Sequence, residues 1–180
     1  MLFIQGAGST GAHACDAELV TSLENALGGS FDVRYPTMPN EADPEYETWK
    51  QHISRELATL GDDVVLVGHS FGASVLIKIL AEGLVEQSVA GVFLISAPYW
   101  SDHAWKWREM ELPVDATDRL PSGVPLFLYH GSEDETVPAS HLEMYARKFP
   151  KAVVRTLAGR NHQLNDDLTE VAADIASLSR

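Results

Sequence analysis

Ser70 lies at the centre of Gly68-His69-Ser70-Phe71-Gly72, after the apolar run Val64-Val65-Leu66-Val67 and before the helix-like Ala73-Ser74-Val75-Leu76-Ile77-Lys78-Ile79-Leu80. A serine at a sharp turn from a buried strand into a helix presents its hydroxyl from a strained backbone. The glycines two residues to either side let strand and helix pass closely. The helix N-terminus then points free N–H groups at any anion that forms above the hydroxyl. That combination suits a nucleophile for acyl transfer. A serine alone is a poor nucleophile at neutral pH, so it needs an adjacent base, itself oriented by a third group.

Reactive groups in parallel α/β sheets gather beyond the carboxyl ends of the strands. An acid is therefore expected after a later strand and a histidine after the last. The run 125–129 leads into His130-Gly131-Ser132-Glu133-Asp134-Glu135-Thr136-Val137-Pro138, and 152–157 leads into Ala158-Gly159-Arg160-Asn161-His162. His162 is the candidate base, and three adjacent carboxylates are available as the acid.

The elements that must hold these residues follow from periodicity. Short β-branched or aromatic runs at 2–5, 31–35, 63–68, 91–96, 125–130 and 152–157 read as strands. The continuous apolar stretches Val64–Val67 and Val92–Ile95 suit strands buried on both faces. Helical spacing is expected over 16–27, 44–60, 71–82, 139–148 and 166–178. The first of these places Leu19, Val20, Leu23 and Leu27 on one face and stops at Gly28-Gly29. The second carries Trp49, Ile53 and Leu57 at core spacing. The alternation predicts one α/β domain over 1–180: a three-layer α/β/α sandwich with about six mostly parallel strands and helices on both faces. The segment 98–123 has little periodicity and carries Tyr99, Trp100, Trp105 and Trp107, which suits a short lid or pocket wall.

Composition narrows the partners. The 180 residues are 45% hydrophobic and 22% charged, ordinary for a globular domain. The net charge of −13 argues against nucleic acid or an anionic membrane as partner, since both reward basic patches. No apolar run approaches the roughly 20 residues of a membrane span. The start of the chain lacks the pattern of a signal peptide. The single Cys15 excludes an internal disulfide and fits a reducing, cytoplasmic setting. No metal-ligand spacing is present, so neither metal nor cofactor is expected.

The three motifs together resemble the α/β-hydrolase superfamily, in a compact form without an inserted cap, similar to the retinoblastoma-binding protein 9-like group. The order Ser70, Asp134, His162 matches the family's order of nucleophile, acid and base. The family's His-Gly-x-x-Asp-x-x-Val-Pro loop singles out Asp134 over Glu133 and Glu135, and its Gly-x-x-His loop places the base at His162. The resemblance further implies an oxyanion hole from the backbone N–H groups of Ala7 and Phe71. Gln5 departs from the pattern, standing where the family usually has histidine. Tyr99, Trp100 and Trp105 are the candidate pocket residues.

The implied activity is hydrolysis of a carboxylic ester or thioester of a small acyl substrate through an acyl-enzyme. An amidase or peptidase with the same triad, or a partner-binding protein on a hydrolase fold, are the alternatives. Gly6-x-Gly8-x-x-Gly11 also fits a dinucleotide loop, but that reading leaves elbow, acid and base unexplained.

Overall fold

The computed structural model describes residues 1–101 and 103–178; of the lid or pocket-wall segment 98–123, residue 102 lies outside the described residues. Five parallel strands form one sheet in the order β1 (Leu2–Ile4), β2 (Val64–His69), β3 (Val89–Ile95), β4 (Leu126–Gly131) and β5 (Val153–Leu157). The helices between and after them are α1 (Ala12–Leu27), α2 (Tyr46–Leu57), α3 (Ser70–Ala81), the single turn α4 (Ala116–Arg119), α5 (Ser140–Lys148) and α6 (Thr169–Ser177).

Alternation along each strand sorts the core into two layers, because successive side chains point to opposite faces of the sheet. Leu2, Ile4, Val64, Leu66, Val92, Leu94, Leu126 and Leu128 pack with Trp49 and Ile53 of α2, Leu76 and Ile79 of α3, and Tyr145 of α5. Phe3, Val65, Val67, Phe93, Ile95, Phe127 and Tyr129 face Leu19, Leu23 and Leu27 of α1 and Val171 and Ile175 of α6. Each such side chain contributes about 1.5–3 kcal/mol by leaving water.

The sixth expected strand, at 31–35, is not formed. Only Arg34 bridges to Leu2, through Phe3 N–H to the Arg34 carbonyl at 2.9 Å and Arg34 N–H to the Met1 carbonyl at 2.9 Å. Pro36 follows at once and has no N–H with which to extend the ladder. Helix boundaries moved for local reasons as well. α1 begins at Ala12, immediately after Gly11, whose φ of 82° no other residue type adopts readily. α2 begins at Tyr46, beyond Pro44.

Among its described residues, the segment 98–123 is irregular apart from a bridge between Trp100 and Trp105, a 3₁₀ turn at Arg108–Met110 and α4. It is nevertheless anchored to the helix that follows β2. Ser74 Oγ donates to the Pro98 carbonyl at 2.6 Å, Lys78 Nζ donates to the Glu111 carbonyl at 3.0 Å, and Trp107 stacks on Phe71 at 5.4 Å between centroids. Among the described residues, no helix is long and apolar enough to cross a membrane.

Candidate functional site

Ser70 occupies the first position of α3 with φ of 51°, the left-handed region that L side chains avoid. Two absent side chains make this turn possible. A Cβ at Gly72 would run into the Gln5 carbonyl and stand 2.7 Å from Ile4 Cγ2. A Cβ at Gly68 would stand 2.7 Å from Ala73 Cα. The elbow is therefore wedged against β1 on one side and its own helix on the other.

The loops after β4 and β5 bring the remaining groups to Ser70. Ser70 Oγ lies 3.0 Å from His162 Nε2, and His162 Nδ1 lies 2.8 Å from Asp134 Oδ2. Asp134 Oδ1 accepts from the N–H groups of Thr136 and Val137, each at 2.8 Å. His130, buried at the end of β4, places Nε2 2.8 Å from the Val137 carbonyl and 3.3 Å from Asp134 Oδ2. The Asp134 side chain is 1% exposed and that of His162 11%. Glu133 and Glu135 are exposed.

The electrostatics fix the tautomer. Burial pushes the Asp134 carboxyl up, but the hydrogen bond with His162 and those from Val137 and Thr136 outweigh it, so the group stays below its usual range and ionised. A carboxylate only accepts, so the His162 proton sits on Nδ1 and Nε2 is left with a lone pair toward Ser70. Burial lowers the pKa of His162, and the Asp134 hydrogen bond only partly offsets this. The imidazole is neutral at pH 7.

The loop 5–11 runs beside Ser70. Its Gly6 N–H donates to Asp16 Oδ2 at 2.7 Å and its Gly8 N–H to the Glu41 carbonyl at 2.8 Å. Glu41 also accepts from Gln5 Nε2 at 2.5 Å and from His13 N–H at 2.8 Å, while Gln5 Oε1 accepts from Met38 N–H at 3.2 Å. Gln5 thus has partners for both ends of its amide. The Ala7 N–H lies between two committed neighbours. Phe71 N–H belongs to the first turn of α3, where helix geometry offers no acceptor.

A cleft of about 170 Å³ opens over Ser70 and His162, bordered by Ala7, Thr10, Cys15 and Thr136. Tyr99, Trp100 and Trp105 do not border it. Tyr99 instead lines a separate open hollow of about 430 Å³ with Met144 and Arg147. Trp100 reaches the elbow through Phe71, 6.2 Å away edge to face, and Trp105 packs on Trp100 and His141. The exposed Cys15 of α1 sits at the cleft rim.

A serine hydrolase family model matches residues 19–167. The chain belongs to the serine hydrolase family. The matched span of this serine hydrolase includes Ser70, Asp134 and His162 and leaves out the loop 5–11. No curated protein matches the sequence. Among solved structures, the ydeN gene product of B. subtilis is 17% identical, over 99% of this chain and 97% of that one, with a TM-score of 0.77. The esterase domain of a Rhodothermus marinus protein is 19% identical over 99% and 84%, at 0.69. A Paleococcus ferrophilus monoacylglycerol lipase is 15% identical over 99% and 93%, at 0.71. These likenesses concern the fold, which in this serine hydrolase is the α/β-hydrolase sandwich reduced to five strands.

Sequence reasoning did not identify Asp16, Glu41 or Ser96 as parts of the site. Asp16 left a readable trace: it precedes Leu19, Val20, Leu23 and Leu27 at helical spacing, a carboxylate on the apolar stripe of α1. Glu41 lies in a segment without periodicity and Ser96 closes the expected strand 91–96; nothing local marks either as part of the site.

Proposed function

We propose that this serine hydrolase cleaves a carboxylic ester or thioester of a small acyl substrate, with Ser70 as nucleophile, His162 as base and Asp134 as acid. The supporting observation is the unbroken chain of contacts from Ser70 Oγ to His162 Nε2 and from His162 Nδ1 to Asp134 Oδ2, at 3.0 and 2.8 Å, beside an open cleft. Ser70 Oγ attacks the acyl carbon while His162 Nε2 takes its proton. Asp134 stabilises the resulting imidazolium. The carbonyl oxygen becomes an oxyanion that accepts from the N–H groups of Ala7 and Phe71, donors fixed in place before the reaction. Collapse of the tetrahedral intermediate expels the alcohol or thiol, protonated by His162. Water, activated by the same base, then releases the acid and restores Ser70.

The cleft is small beside the roughly 300–1,000 Å³ of drug-sized ligand pockets, which favours a short acyl group within it. The leaving group extends into solvent. Segment 98–123, anchored as it is to α3, acts as a fixed wall behind Phe71 in this reading.

The test is fluorophosphonate labelling with mass mapping, followed by p-nitrophenyl esters and acyl thioesters of increasing chain length. The expected result is a single adduct on Ser70 and turnover that declines as the acyl chain lengthens. A folded protein that takes up no label would defeat the reading.

A pH dependence follows. Protonated His162 cannot accept the Ser70 proton, so activity is lost as pH falls through the base's pKa. That pKa lies below the ordinary histidine value because the buried ring resists charge. kcat/KM should therefore rise with pH through a midpoint below about 6.5. A midpoint above that value in a full pH–rate profile would contradict the environment described for His162.

A further inference from the structure

His69 stands next to Ser70 and takes no part in the proton path through His162 to Asp134, yet both its ring nitrogens are engaged. Nδ1 lies 2.8 Å from Asp16 Oδ2, and Nε2 lies 3.0 Å from the main-chain carbonyl of His162. Neither partner has a hydrogen to give. The His162 carbonyl is an acceptor only, and the Asp16 oxygen already accepts from the Gly6 N–H. Two acceptors require two donors, so both ring nitrogens carry hydrogen and the ring is an imidazolium.

We propose that His69 is a positioning residue, an imidazolium paired with Asp16 that clamps the main chain of His162 and the loop 5–11 in register with Ser70. The proposal rests on the roles given above to Ser70, His162 and Asp134. One hydrogen-bond chain joins four strand ends: Gly6 N–H to Asp16, Asp16 to His69, and His69 to the His162 carbonyl, which also accepts from Ser96 Oγ at 2.9 Å. Gly6 follows β1, His69 ends β2, Ser96 follows β3 and His162 follows β5. The Asp16 and His69 side chains are each 2% exposed, so water does not compete for these bonds. The loop abuts the nucleophile so closely that a Cβ at Gly6 would meet Ser70 Cβ at 3.1 Å. A shift of this clamp would therefore move the base and the Ala7 donor together.

The charged and titratable groups around His69 are Asp16 from α1, Asp134 from the loop after β4, and His162, whose ring centroid is 4.8 Å away. Burial opposes the charge on His69, but the Asp16 carboxylate outweighs it and the net direction is upward. Burial likewise pushes Asp16 up, and His69 brings it below its ordinary range. Asp16 and His69 act on His162 with opposite sign, His69 lowering its pKa more than Asp16 raises it. The geometric hold of the pair on the base is its contact with the His162 carbonyl.

Asp16→Asn tests this because a neutral His69 has one ring hydrogen for two acceptors, so one clamp is lost. Long-range ¹H–¹⁵N spectra of the wild-type histidines should show both His69 nitrogens protonated at about pH 8, where an unpaired histidine is neutral. His69→Gln assigns the signal. In Asp16→Asn one His69 nitrogen should become bare, and kcat should fall about 10- to 100-fold with little change in KM, as expected for displaced reacting groups. His69→Gln keeps an N–H near the Nε2 position and should retain more kcat than His69→Ala. A bare His69 nitrogen in the wild-type protein at that pH, or an Asp16→Asn kcat within about twofold of wild type, overturns the proposal. Absence of a Ser70 adduct in the wild-type protein would instead overturn the proposed function, and the spectra would still decide the state of His69.

Discussion

Ser70→Ala should lower kcat by about 10⁵-fold or more, the scale seen when the nucleophile of a serine–histidine pair is removed. Among the described residues its hydroxyl hydrogen-bonds to His162 alone, and it faces the cleft. Folding should hardly change, because alanine meets the same penalty as serine at φ of 51° and loses no buried packing. The thermal midpoint should therefore stay close to that of the wild type while the fluorophosphonate adduct disappears. Ser70→Gly supplies a second reading of the same strain. Glycine adopts the left-handed region freely, so this variant should be inactive and about 1 kcal/mol more stable than Ser70→Ala. Near wild-type turnover in either variant would remove Ser70 from the chemistry.

Asp134→Asn should cut kcat by about 10⁴-fold, and the reason lies in which atoms of the loop are already committed. The Thr136 and Val137 N–H groups both donate to Oδ1, so an asparagine would keep its carbonyl oxygen there. Its NH₂ group would then face His162 Nδ1 in place of an acceptor. The histidine would move its proton to Nε2 and could no longer accept from Ser70. Steady-state kinetics beside a melting curve separates this from unfolding: kcat should collapse with only a modest loss of stability. Glu133→Gln and Glu135→Gln serve as controls, since both residues are exposed. If either neighbour produced the large loss and Asp134→Asn did not, the acid would have been misassigned.

The residues differ in how far their places were legible. Strands β2, β3 and β4 could be read because burial on both faces demands continuous apolar runs. The turn at Ser70 was legible because it needs glycine at two specific places, and the clash of a Cβ at Gly72 with the Gln5 carbonyl shows why. The run 31–35 misled because apolar alternation signals a half-buried strand without showing whether a partner edge is available beyond it. Pro36 limits the contact to one bridge at Arg34. The aromatic residues of 98–123 were visible as a group, but their packing partners were not. Phe71, Tyr145 and His141 come from α3 and α5, distant in sequence, and they draw the rings away from the cleft.

The sequence by itself determined the three-layer α/β/α class and the position of the elbow. Both are written in local spacing, where backbone geometry constrains residue type within a few positions; the choice of Asp134 among three neighbouring carboxylates came from the family resemblance. Only the tertiary structure decided which groups orient the site. Asp16 meets His69 across 53 residues, Ser96 meets the His162 carbonyl across 66, and His69 meets that same carbonyl across 93. Such contacts depend on how strand ends are placed against one another, and no local pattern encodes that distance. The same holds for the cleft, whose border includes loop 5–11, itself tied to Asp16 and Glu41.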